Sequence, residues 1–168
     1  MSQPHKLKID RILEISEAVE LIGENRYLEG TTAYKIGILG DYCKPFVKAF
    51  TKQRDKIVQE TRKRQRTISE PVRGQGTTDA KMRANEEIST LVEDMNDKLN
   101  ELTAAEEDIK IPVLKLSEFI AKADITDVFV KDSVSDTKVV VKAGNTLVPT
   151  KFFTLMGDII IDDKNVTG

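Results

Sequence analysis

One cysteine, one histidine and no tryptophan occur in the 168 residues, and each scarcity removes a class of chemistry. Cys43 has no second cysteine for an internal disulfide, and with His5 the chain falls short of the Cys and His sets that structural zinc sites use. Cys43 also lacks a histidine partner to activate it as a nucleophile. No glycine pattern cradles phosphate: GILG, GQG and EGTTAYKIG lack the strand, the lysine and the helix start that nucleotide-binding turns require. No apolar run approaches the roughly 20 residues that span a bilayer, and MSQPHKLKIDRILEI is not built like a secretory signal. No metal, no cofactor, no membrane and no enzymatic activity are therefore expected, for a protein of the cytoplasm.

What is present is charge and helical periodicity. Charged residues make up 32% of the chain against 5% aromatics, a composition that suits long amphipathic helices with solvated outer faces. The net charge of -2 gives no global pull toward nucleic acid, so any such pull must be local. In Thr32 to Arg66 the apolar residues Ile36, Leu39, Cys43, Phe46, Phe50 and Ile57 follow a heptad spacing interrupted at Gln53. That stripe predicts a long helix with one apolar seam that needs a partner. Thr31 or Thr32 is its expected cap, and Gly37, Gly40 and Pro45 predict a bend near 40–45. Before it, Leu7 to Ile22 predicts a short helix from about Asp10, closed by the loop Gly23 to Gly30.

The segment Thr67 to Asp79, with Pro71, Gly74 and Gly76, reads as a loop. A second long helix, capped by Thr78 or Asp79, then carries Met82, Ile88, Leu91, Val92, Met95, Leu99 and Leu102 on one face. Two long helices joined by a short loop fold back on each other, which would place Phe50 near Met95 and Cys43 near Leu102. Charge agrees in outline. Nine acidic residues and one lysine lie between Glu86 and Asp108, while Lys44, Lys48, Lys52 and Arg54 lie on the stretch expected to face them.

After Asp108 the period changes to two. Ile109, Ile111 and Val113 predict an edge strand at Pro112, and Ser117 a cap for a short helix. DVFVKD and TKVVVKAG predict a β-hairpin, Thr150 a helical turn through Met156, and Ile159 to Ile161 a short strand or a last apolar plug. The fold class is α+β, mainly α: a long antiparallel helical hairpin with a short N-terminal helix (1–108) and a small β-rich module (109–168) packed on it. The open edges of so small a sheet make that module a candidate for partner capture.

One charge cluster stands out. Arg62, Lys63, Arg64, Arg66, Arg73, Lys81 and Arg83 face only Glu70 and Asp79 across the hairpin tip, a local net of +5. Such a tip can grip phosphates or an acidic protein surface, although no aromatics are interleaved for base stacking. The carboxylates Glu86, Glu87, Glu93, Asp94 and Asp97 lack a completing Lys, His or Arg and read as a solvated helix face rather than a metal or acid-base site.

The order ANEEISTLVED, EDIKIPVLKLSEF and VPTKFFTLMGDII, taken with the hairpin before it, resembles a family of small helical-hairpin proteins encoded by tailed bacteriophages. The insert Asp127 to Lys142 departs from its shorter members. The resemblance implies a non-enzymatic connector, tail, capsid or chaperone component that binds itself or other virion proteins, located in the host cytoplasm or the virion. The other reading is a nucleic-acid-associated or host-directed regulator acting through the basic tip.

Overall fold

A computed structural model describes residues 2–22, 28–132 and 135–163. The protein is mainly helical, an α+β fold dominated by α2 (Gly30–Ser69) and α3 (Thr78–Ala104), which are about 60 and 40 Å long at 1.5 Å per residue. A 3-10 turn at Glu70–Val72 joins them, and Gly74, at φ +92°, makes the reversal that a side chain would strain. The expected loop is thus shorter than its composition suggested, because α2 continues to Ser69. The cap of α3 is Thr77, whose Oγ1 accepts the Ala80 N–H at 3.2 Å, one residue before the expected position.

The short helix α1 (Ile9–Ile22) buries Ile9, Ile12, Ile15, Ala18 and Ile22. Its spacing of three and four residues turns one face inward. Against that face lie Ile36, Leu39 and Cys43 of α2, Ile109 and Ile111 of β2 (Glu106–Pro112), and Phe152 and Met156 of α4 (Thr150–Met156). Gly40 sits at the closest approach of α1 to α2, where a Cβ would come within 3.0 Å of Val19 Cγ1. The upper part of the heptad stripe is therefore covered by α1, β2 and α4 and not by α3. Cys43 and Phe50 belong to this core and not to a seam with Leu102 and Met95, while α3 meets the lower half of α2, where Ile57 and Thr61 share a cleft with Leu91 and Met95. α2 runs through Pro45 as one continuous helix.

Thr32 does not cap α2. Glu29 occupies that position without a side-chain bond, and Thr32 is fully buried with its hydroxyl unpartnered among the described residues. A buried hydroxyl without a partner costs about 1–3 kcal/mol of desolvation. Thr32→Val, which keeps the shape and β-branching, should raise stability by about 1 kcal/mol in chemical denaturation; a loss of that size would reveal a bond to Oγ1.

Among the described residues, three two-stranded sheets complete the fold. β1 (Ser2–Lys8) pairs antiparallel with β2, setting Lys6 opposite Asp108 and Lys8 opposite Glu106. β3 (Leu114–Lys115) runs parallel to β6 (Ile160–Ile161). β4 (Ile125–Asp132) and β5 (Ser135–Val141) form the expected hairpin. The short helix after β3 is a 3-10 turn, Leu116–Phe119, whose Glu118 accepts the Lys115 N–H at 2.8 Å. Ser117 does not cap it; its N–H and hydroxyl are donated to Asp163, which holds that carboxyl below its usual range.

Val148, Phe152 and Met156 share the core with α1 and α2. The C-terminal segment is thus an internal part of the body, and its β4–β5 hairpin rises from a small separate cluster of Ala121 and Val141.

Candidate functional site

The lower half of the α2–α3 hairpin forms an arm outside this core. Among the described residues, none of α3 and none of α2 beyond Phe50 belongs to the main cluster. In α3 only Ala84 is buried, while Ile88, Leu91, Val92, Met95, Leu99 and Leu102 are half-buried and Met82 is 56% exposed. The same holds on α2 beyond Phe50, where Ile57, Val58 and Ile68 are half-buried and Thr61 alone is buried. The cause is geometric. Each helix carries an apolar stripe of the width that a bundle covers from two sides, and here each has one neighbour.

The incomplete cover leaves a groove of about 490 Å³ along one face of the arm. Ile68 and Leu91 supply its apolar part; Lys63 and Arg64 rim it on the α2 side, Glu87 and Asp94 on the α3 side. It narrows into a second cleft between Ile57 and Lys98 that shares Arg64, Leu91 and Asp94. The register is consistent along both, with Ile68 level with Glu87 and Ile57 level with Lys98.

The seven basic residues lie where the hairpin topology puts them. Arg62, Lys63, Arg64 and Arg66 lie on the last turns of α2, Arg73 in the reversal, and Lys81 and Arg83 on the first turns of α3, all exposed. Among the described residues none of the seven has an ion-pair partner. The fold also brings something that counting along the chain missed: Glu86, Glu87, Glu93 and Asp94, all exposed, come alongside the end of α2. The tip is basic at its end and mixed in sign along its side.

Charge is arranged quite differently in the body and in the arm. Ion pairs between distant segments occur throughout the body: Lys6–Glu106 at 3.1 Å, Lys35–Glu118 at 2.5 Å, Lys122–Glu29 at 2.5 Å, Lys151–Glu17 at 2.5 Å, and Arg11–Asp158. Among the described residues no ion pair joins α2 to α3. Lys44 pairs with Asp41 and Arg54 with Asp55, both within α2, so these cations make their ion pairs along their own helix.

Cys43 is fully buried and burial pushes its thiol up to about 11, the reverse of a reactive cysteine. Among the described residues no three His, Cys, Asp or Glu side chains are placed to hold a metal ion, and Glu86, Glu87, Glu93, Asp94 and Asp97 are all exposed. Among the described residues no helix is long and apolar enough to cross a membrane. No family model, no curated protein and no solved structure matches the chain.

Proposed function

We propose that the protein is a non-enzymatic structural or assembly component of a tailed bacteriophage, acting through protein–protein contacts in the host cytoplasm and in the virion. The observation that carries the contact role is the arm: half-exposed apolar stripes on two helices, a groove between them, and charges on both rims without an ion-pair partner among the described residues. An apolar face of this length on a soluble helix pair is a surface that gains from being covered. The phage setting rests on the sequence resemblance alone.

The test is site-specific photo-crosslinking in producing cells. A photoreactive residue at Thr90, exposed on the groove, is expected to capture virion proteins or a second copy of the chain, whereas one at Glu20, exposed on α1, should capture little. Equal capture from both positions, or capture from Glu20 alone, contradicts the reading.

A second reading, binding of a nucleic-acid backbone, is favoured by the exposure of the seven tip cations and by their having no ion-pair partner among the described residues. In that case binding weakens linearly in log salt, by about 0.9 for each phosphate neutralised on duplex DNA. Replacing Arg62, Arg64 and Arg66 with Gln should flatten that slope by about two to three units without loss of helicity. Absence of binding in an anisotropy titration at low salt removes the reading.

A further inference from the structure

We propose that the groove of the arm is filled by the arm of a second copy of the chain, so that two hairpins close into an all-antiparallel four-helix bundle about a two-fold axis parallel to the helices. The inference rests on the reading of the arm as the contact surface and goes on to name its occupant.

The rims select both the partner and the axis. Seen from the groove, one edge is cationic, through Lys63 and Arg64, and the other anionic, through Glu87 and Asp94. A second copy laid face to face can be related by an axis along the helices or one across them. An axis across the helices stacks α2 on α2 and α3 on α3, setting like charges together. An axis along them sets each α2 on the α3 of the other copy, with Lys63 and Arg64 meeting the other copy's acidic rim at the same height. That height agrees because the register within the hairpin already levels Arg64 with Leu91. Every helix then has antiparallel neighbours of opposite charge, as in an up-down four-helix bundle.

The same arrangement supplies what the monomer leaves undone. Ile68 and Leu91 gain a facing pair, and the half-buried stripes acquire the second neighbour that their width calls for. The covered face, Ala84 to Leu102 across two helices, measures about 28 by 20 Å, or roughly 1,100 Å² summed over both copies. That lies at the small end of specific interfaces, which suits a reversible dimer. The bundle uses Lys63 and Arg64 and leaves Arg73, Lys81 and Arg83 of both copies at one end.

Sedimentation velocity of the full chain, from micromolar to sub-millimolar concentration, tests this. The expected result is a shift from the 18.8 kDa chain to twice that mass, weakened by added salt as the rim charges are screened. The double variants Lys63→Glu with Arg64→Glu and Glu87→Lys with Asp94→Lys should each remain monomeric, and an equimolar mixture should recover the dimer, because only the mixed pair restores both rims. A single spin label at Asn96→Cys, exposed on α3 and outside both clefts, keeps the test independent of whether those variants fold: across the proposed axis the two labels lie about 25 Å apart, the diagonal of the bundle with its outer side chains. A wild-type chain at 18.8 kDa throughout, charge-swapped variants that dimerise alone, or labels far apart in the dimer would overturn the proposal. A monomeric chain that still crosslinks virion proteins from Thr90 would leave the contact role standing, and a silent Thr90 would remove that role whatever the mass.

Discussion

Phe152→Ala is expected to cost about 3–5 kcal/mol, a large loss for a single substitution. Phe152 is fully buried in a cluster of three aromatic rings and makes two of its contacts, with ring centroids 5.1 Å from Phe119 and 5.6 Å from Phe153, and Phe119 and Phe153 themselves 6.2 Å apart. Truncation removes the ring and both of its pairings, in a place where α1, α2 and α4 meet and cannot all close inward together. For a domain of this size the loss lowers Tm by roughly 6–20 °C. A loss under 1 kcal/mol by chemical denaturation would mean that α4 is not seated on α1.

Cys43 should be almost inert in the folded protein. With its pKa about 11 instead of 9.0, the thiolate fraction at neutral pH falls about 100-fold, and burial adds a steric barrier. Labelling by an aromatic disulfide reagent without denaturant should therefore run at least about 100-fold slower than in denaturant and follow the opening of the body. Labelling at the rate of a free thiol would contradict the packing of α2 on α1.

These two expectations rest on a core that was only partly legible in the sequence. The helical stretches, the β4–β5 hairpin and the short β6 strand could be read because each is specified locally, by spacing, turn residues or β-branched runs. The partner of each stripe could not. A heptad pattern states that a face is covered and not by what, so the stripe from Ile36 to Ile57 read as one seam for one helix, where the fold gives its upper half to α1, β2 and α4 and its lower half to α3. β1 was missed for a related reason. Pro4, His5, Lys6 and Lys8 carry no strand pattern, and the strand exists because β2 offers a pairing edge with acids opposite both lysines.

The candidate site divides in the same way. Its cations were legible as a run of Arg and Lys along the chain, and their exposure follows from their place at a hairpin end. The groove and its anionic rim were not, because they depend on which residues of α3 come level with Lys63 and Arg64. Sequence distance hides that register. Once Glu87 and Asp94 stand opposite those cations, the surface becomes self-complementary, which a window of net charge +5 could not suggest.

Hydrogen exchange followed by mass spectrometry, on the full chain at two concentrations, tests most directly whether the arm is the open, contact-making part of the molecule. Peptides from Ile9–Ile22 should be strongly protected at both, since their inward residues are fully covered within one chain. Peptides from Ala84 to Leu102 should exchange faster at the lower concentration and gain protection at the higher one as their half-exposed stripe is covered. Equal protection of α3 and α1 at both concentrations would contradict it, because α3 would then be a finished part of the core with nothing left to bind.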